Sequence, residues 1–548
     1  MKGLLLAIGL CLLPGIAQAT PPPLQFAFGG PQGGQLVQLA STGVAERQPL
    51  PAQLQTPLGS LWKLFVYAWL EDTGSQEPAY ACQGQSREEV YCCTAGASIG
   101  RDEALVRSCG LYFEPQRLNI DPAQWNTYWQ ARQAPAWLLD IAVLQPQARV
   151  PVADLLQVLA LLPAQQKARS VLLDVALRAA DGQAVGWLGG RLRVKTWSWL
   201  GEQGPQSRQG GFAGWLADGT PVWAQGRGTS QRVLRDYAQA LGGFLPALPA
   251  GPSGQCVQVA LFSRYPLLGV QQTDGKPTPP GMLRGSYQVS FANGSRLPVR
   301  SDGELFLLRE GDGLHLVARL DREEYVARVL EREAAAQPAE AAKALAVAIR
   351  TYLQQNAGRQ GECLSIDDSS SQQRVAPRPA SVEARAVARW TGDLVLAGSP
   401  VTYHADLQAA NKLSWQQAVA QAGAGLRYDQ ILSHAYPRAS LSRWDNPVAS
   451  CEPLPDAERW LQAQRRGWRQ ALDLEAGYNE VTQLAVCRLA YGRPHVDRER
   501  QRIYVGGLLS LQDRLALTHE YLHLAFEAHP NGQDETYIEG FDRHLLLE

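Results

Sequence analysis

Ala339-Glu-Ala-Ala-Lys-Ala-Leu-Ala-Val-Ala-Ile-Arg-Thr-Tyr352 decides how the middle of this chain folds. It is Ala-rich and periodic, the pattern of a helix buried in a core, because alanine gives up no side-chain freedom on becoming helical. Just ahead runs Tyr325-Val-Ala-Arg-Val-Leu-Glu-Arg-Glu333. Before that come three stretches that read as short strands: Gly285-Ser-Tyr-Gln-Val-Ser290, Glu304-Leu-Phe-Leu-Leu308 and His315-Leu-Val-Ala-Arg-Leu320. Behind the helix lie Cys363 and the polar run Asp367-Asp-Ser-Ser-Ser-Gln-Gln373, short enough to be a loop. Strands followed by helices make this part mixed α+β.

The chain has 548 residues, too many for one core. Two Pro-rich stretches read as linkers, Leu245-Pro-Ala-Leu-Pro-Ala-Gly-Pro-Ser-Gly254 and Asn446-Pro-Val-Ala-Ser-Cys-Glu-Pro-Leu-Pro455. They delimit regions 20–248, 249–449 and 450–548, so the fold class is multidomain α+β. Charged residues make up 19% and the net charge is -1, which argues against a disordered chain and against a nucleic-acid binder held by bulk charge. Only seven of the 51 basic residues are Lys, so a Lys inside a motif carries information.

Residues 1–19 read as a secretory signal peptide. Lys2 precedes an apolar run from Gly3 to Leu13, and Ala17-Gln-Ala19 ends it with cleavage expected after Ala19. No later segment is apolar enough to span a bilayer. The expected location is the periplasm. Eight cysteines remain once Cys11 is removed, and they fall as four, two and two along the chain. The expected bridges are Cys256–Cys363, Cys451–Cys487 and two among Cys82, Cys92, Cys93 and Cys109.

The end of the chain carries the strongest chemical signal. Five of the eight histidines follow residue 490, two of them in His519-Glu-Tyr-Leu-His523. Ala516 to Phe526 reads as a helix, and i, i+4 spacing puts both imidazoles on one face, where they can share one Zn2+ with Glu520 beside a bound water. The following Tyr537-Ile-Glu-Gly-Phe-Asp-Arg-His544 reads as a second helix offering Glu539, and Arg502-Ile-Tyr-Val505 as a strand lining a cleft. Here the chain resembles the gluzincin zinc peptidases, whose second His is followed by a Glu in an "EGF"-like helix. That resemblance implies a small, mostly helical zincin-like domain with His519, His523 and Glu539 as ligands and Glu520 as general base. Glu535 and Asp534 are the alternative third ligands. Tyr537, His529 and His544 are candidates for stabilising the transition state.

The middle region resembles the SpoIID/LytB lytic transglycosylases over about 256–442. The features carrying this are the "YV..V...E" segment, the Ala-rich helix, the Asp-Ser…Gln loop and Gly425-Leu-Arg-Tyr-Asp-Gln-Ile-Leu-Ser-His-Ala-Tyr-Pro437. The resemblance implies that Glu333 is the catalytic acid and that Arg350, Asp368, Ser369 and Gln373 line the cleft. One carboxyl suffices if it protonates the glycosidic oxygen and then, as base, helps the muramyl 6-hydroxyl attack its own C1.

In the first region Ser60-Leu-Trp-Lys63 opens an apolar helix, Arg107-Ser-Cys-Gly110 follows, and Val194-Lys-Thr-Trp-Ser198 comes last. This order resembles the penicillin-binding proteins and serine beta-lactamases, and implies a penicillin-recognising-like α/β domain with Ser60, Lys63, Ser108, Lys195 and Thr196 in the site. Gly110 stands where that family has Asn and Trp197 where it has Gly, so the resemblance implies an impaired acyl-transfer site. As a whole the chain resembles secreted proteins of Gram-negative bacteria encoded beside bacterial alpha-2-macroglobulins. Two functions are open: an enzyme acting on peptidoglycan, or a non-catalytic scaffold that binds peptidoglycan and a macroglobulin-like partner.

Overall fold

A computed structural model describes residues 22–547, apart from 30–32, 87–88, 90–91, 94, 163–164, 180–181, 202–203, 205–206, 247–253, 405–411 and 490–492. The signal-peptide stretch and most of the first linker lie outside the described residues. The expected bridges form: Cys82–Cys93, Cys92–Cys109, Cys256–Cys363 and Cys451–Cys487. Among the described residues no helix is long and apolar enough to cross a membrane.

The first region is built on a six-stranded antiparallel sheet. Its order is Gly43–Pro49, Gln35–Ala40, Leu24–Phe28, Pro221–Arg227, Gln209–Leu216, Leu192–Trp199. Alternation along each strand feeds two cores. Leu24, Phe26, Val194, Phe212 and Ala224 face the helix Ser230–Phe244. Ala27, Trp197, Ala213, Trp215 and Trp223 face a helical layer that includes Trp62–Thr73 and Val152–Leu161.

The middle region wraps a seven-stranded mixed sheet and several helices around Ala339–Asn356. That helix is buried over most of its length, as its alanines require. The predicted strands are present but longer, Gly281–Phe291, Arg296–Glu310 and Gly313–Asp321. Cys256–Leu261 and Cys363–Asp367, tied by a disulfide, form a parallel pair in this sheet.

The last region packs the helices Pro455–Leu472, Leu511–Ala525 and Glu535–Leu547 on a three-stranded sheet. Its order is Ala485–Arg488, Arg502–Val505, His495–Asp497. Arg502–Val505 is therefore the central strand, not a cleft-lining one, and His495–Asp497 is the exposed edge. A strand of three residues beside Pro494 gives too little period-2 pattern to be seen in the sequence.

The regions are locked together by buried charge. Asp393 pairs with Arg193 of the first region at 2.9 Å and with Arg322 of its own. Burial alone would raise the Asp393 pKa, but Arg322 and Arg193 hold it well below the usual carboxylate range. Arg500 of the last region reaches Asp429 at 3.2 Å and the Gly182 carbonyl. Gly190 has no room for a side chain, since a Cβ would lie 2.0 Å from the Gly392 carbonyl across the interface.

Candidate functional site

The helix Leu511–Ala525 starts with a capping box: Ser510 Oγ accepts from the Asp513 N–H at 3.1 Å and Asp513 accepts from the Ser510 N–H at 2.8 Å. That fixes the helix entry, and the i, i+4 spacing then puts His519 and His523 side by side, with their Nε2 atoms 3.1 Å apart. Both outer nitrogens are engaged. His519 Nδ1 meets Asp542 at 3.1 Å, and His523 Nδ1 meets the Gly532 carbonyl at 3.0 Å. An imidazole that donates from Nδ1 presents a lone pair at Nε2, the arrangement found behind metal-ligating histidines. The Asp542 hydrogen bond also raises the His519 pKa. Gly532 is required at its place, because a Cβ there would lie 1.9 Å from the Phe526 carbonyl.

The third member is Glu535. Its carboxylate lies 3.0 Å from His519 Nε2 and 3.4 Å from His523 Nε2. His519, His523 and Glu535 offer ligand atoms that all lie within 4.8 Å of one another. Glu539, the expected ligand, is exposed and sits 3.9 Å from Arg543. The terminal helix begins at Glu535, so its first residue and not Glu539 is the carboxylate that meets the two Nε2 atoms, with Asp534 spent on capping the Thr536 N–H at 3.0 Å. Glu520 is 9% exposed, and burial pushes its carboxyl up.

Tyr537 does not face this site. Two residues beyond Glu535 it projects from another side of the helix, donates to Glu475 at 2.8 Å and stacks on His529 at 5.0 Å. His544, two residues beyond Asp542, lies beside Phe541 instead. Asp542 and Gly532 went unnoticed in the sequence, although Asp542 stands seven residues after Glu535, a helical repeat that could have found it.

In the middle region Glu333 ends the helix Arg322–Glu333 and is clamped by one residue. Its carboxylate accepts from the Arg374 N–H at 2.8 Å and pairs with the Arg374 guanidinium at 3.1 Å. Asp368 accepts from the Val375 N–H at 3.0 Å, and burial raises its pKa. Ser369 lies next to it, its Oγ 3.1 Å from that of Ser371. Arg350 and Gln373 do not line a cleft. Arg350 is fully buried, paired with Glu323 at 2.5 Å and donating to the carbonyls of Leu394 and Ala388. Gln373 is equally buried, accepting from Tyr325 and donating to the Ile349 carbonyl at 3.2 Å and Tyr403 at 3.0 Å. The helix that carries Arg350 is central, so the Arg350 charge has to be satisfied inside the core.

In the first region Lys63, Ser108 and Lys195 come together, with Ser60 three residues before Lys63 in the chain. Lys63 Nζ donates to the Ser108 carbonyl at 2.7 Å and lies 3.4 Å from its hydroxyl. Ser108 holds a left-handed φ of 62° next to the bridged Cys109. Lys195 is fully buried, and burial, with Lys63 nearby, pushes its ammonium well down. Strand alternation turns Thr196 to the other side of the sheet from Lys195, away from these groups. Trp197 closes the space: it is 1% exposed, and a Cβ on Gly59 would lie 3.0 Å from that of Trp197.

Over 544 residues, 99% of this chain and 98% of the relative, the sequence is 55% identical to the "Uncharacterized protein YfaQ" of Escherichia coli strain K12. The chain belongs to the YfaQ family. The model for "Predicted secreted protein (DUF2300)" matches residues 84–206 and 411–531, and the one for "Stage II sporulation protein" matches 310–397. The chain thus combines a secreted-protein signature with a SpoIID domain, which points to a role at the cell wall. Among solved structures the chain is similar to a class D beta-lactamase from Bacillus subtilis, at 12% identity and TM-score 0.29, over 41% of this chain and 92% of that one. A reconstructed ancestral class A beta-lactamase of Gram-negative bacteria matches at 16% identity and TM-score 0.27, over 40% and 92%.

Proposed function

We propose that the chain is a periplasmic cell-wall hydrolase whose last region cuts peptide bonds with a zinc ion, its substrate the peptide stems of peptidoglycan. One observation carries this reading: two Nε2 atoms and the Glu535 carboxylate converge while Asp542 and the Gly532 carbonyl hold both rings from behind. His519, His523 and Glu535 fit zinc as a donor set of two imidazoles and one carboxylate. When bound, zinc supplies a Lewis acid and brings a water toward a pKa of about 7. Glu520, next to His519 and depleted of solvent, takes the proton of the attacking water and returns it to the departing amine. The edge strand His495–Asp497 offers backbone groups along which an extended peptide can add.

The test is mass spectrometry of purified peptidoglycan incubated with the mature chain, with zinc and with chelator. Shortened stems that vanish with chelator and in Glu520→Gln support the reading; stems unchanged under all conditions overturn it. A second reading rests on the SpoIID match: glycan cleavage by Glu333, which protonates the glycosidic oxygen once Arg374 releases it. Anhydro-muramyl ends that disappear in Glu333→Gln support that one. Intact sacculi in every arm favour a peptidoglycan-binding scaffold or a partner of a macroglobulin-like protein.

A further inference from the structure

Behind the His523 ring lies a line of side chains that runs out to the other two regions. The Gly532 carbonyl that accepts from His523 Nδ1 also accepts from the side-chain amide of Gln533, at 2.9 Å. The amide oxygen of Gln533 accepts in turn from Arg498 at 2.6 Å. A guanidinium can only donate, so the Gln533 amide has one orientation, oxygen toward Arg498 and N–H toward Gly532. Arg498 also donates from Nε to the His523 carbonyl at 3.3 Å. That carbonyl lies in the last turn of the helix Leu511–Ala525, where carbonyls lack intrahelical partners and a cation is favoured. One side chain thus holds His523 by its main chain and, through Gln533 and Gly532, by its ring.

Arg498 opens the turn between the strands His495–Asp497 and Arg502–Val505, and the next two residues reach other regions. Glu499 accepts from Arg427 of the middle region at 3.3 Å. Arg500 donates to the Gly182 carbonyl of the first region at 2.5 Å and to Asp429 of the middle region at 3.2 Å. Asp497 folds the turn back on itself, accepting from the Arg500 N–H at 3.1 Å. Three consecutive residues of one tight turn therefore bond to all three regions. Consecutive Cα atoms are only about 3.8 Å apart, so a shift at buried Arg500 reaches Arg498 directly.

We propose that Arg498 is a positioning residue for the metal centre, and that its turn makes the setting of His523 depend on docking of the first and middle regions. The proposal rests on the reading of His519, His523 and Glu535 as zinc ligands. Arg498 touches neither metal nor substrate in it. It acts by fixing Gln533, which fixes the Gly532 carbonyl, which fixes the direction of His523 Nε2. Once the turn is released from Arg427, Asp429 and Gly182, Gln533 loses its fixed donor and the imidazole gains freedom.

The test is zinc affinity of the mature full chain, read by competition with a chromogenic chelator, together with the visible spectrum of the cobalt(II) form. Arg498→Gln and Gln533→Met should each weaken zinc about threefold to tenfold, below the roughly 10–100-fold expected for a group bonded directly to a ligating ring, and should alter the cobalt spectrum. Arg498→Lys keeps a donor for Gln533 and should recover most of the loss. Glu499→Gln should weaken zinc about twofold, since a half-exposed pair contributes little, although its partner Arg427 belongs to another region. Asp429→Asn, which loosens the buried grip on Arg500, should weaken it at least as much. Unchanged affinity and spectrum in both Arg498→Gln and Gln533→Met overturn the positioning role. Unchanged affinity in both Glu499→Gln and Asp429→Asn overturns the dependence on docking. A wild-type chain that binds no zinc overturns the metal-centre reading, and this proposal with it.

Discussion

The last and the first regions hold reactive residues in opposite ways. At His519 and His523 each ring is held from behind, and the faces that matter point at one shared space with Glu535. At Ser60 the reactive types are also present, but Lys63 is spent on the Ser108 carbonyl, Lys195 is buried, and the Trp197 indole fills the approach. The difference teaches that keeping a motif is not keeping a site. What separates the two is the supporting shell: carboxylate and carbonyl behind the histidines, an indole packed on Gly59 just before the serine.

The largest expected effect is on chemistry. Glu520→Gln should lower peptide cleavage by about 10²–10⁴-fold while bound zinc stays unchanged, the size expected for loss of a general base. Stem-peptide release and metal analysis on the same sample check it. Cleavage at the wild-type rate breaks the comparison, for then the first and last sites are equally silent.

Trp197→Gly probes the other side. Removing a buried indole should cost about 3–5 kcal/mol in a denaturant titration. The unpartnered Nε1 of Trp197 argues for the lower end of that range. Wild-type chain should remain unlabelled by a fluorescent penicillin; labelling at Ser60 in the wild type would show that the indole does not close the site.

Asp393→Asn tests the lock between the first region and the middle one. Arg322 keeps Glu323 at 2.8 Å, so the change mainly leaves buried Arg193 without a carboxylate; because Asp393 itself is 38% exposed, the cost at pH 7 should be about 1–3 kcal/mol. Because the folded-state pKa of Asp393 is depressed, its contribution is present above the unfolded carboxylate value of about 4 and fades as pH falls below it. The Tm gap between wild type and variant should therefore narrow in acid; a gap that is constant with pH contradicts the pairing.

Two smaller effects sharpen the assignment of the metal centre. Asp542→Asn should weaken zinc binding by about 10–100-fold, as loss of a carboxylate behind a ligating His does. Glu539→Gln should leave zinc affinity unchanged and Glu535→Gln should not, a contrast that competition with a chromogenic chelator reads directly.

Much of this was written in local pattern. Ala339–Asn356 is a buried helix because alanines and aliphatic residues fill most of its surface, and Arg502–Val505 and the HExxH helix form where the spacing says. The disulfide groups follow from cysteine order along the chain. The third ligand was not legible, because which turn of the terminal helix meets the imidazoles depends on where Asp534 caps it. Arg350 and Gln373 look like cleft residues in the sequence but are core partners, since polarity alone does not say which side of a helix or loop faces solvent.

The sequence by itself determined the buried helix Ala339–Asn356, the HExxH helix, the three strands before the buried helix, the bridges Cys256–Cys363 and Cys451–Cys487 and the pairing of His519 with His523, all of which depend on residues a few positions apart or on simple order. Tertiary structure decided the rest. It chose Glu535 over Glu539, set Asp542 behind His519, and laid Trp197 over the turn before Ser60. Those outcomes depend on which surfaces pack together to bury apolar area and pair buried charge, and that balance is struck across the whole chain rather than within any one segment.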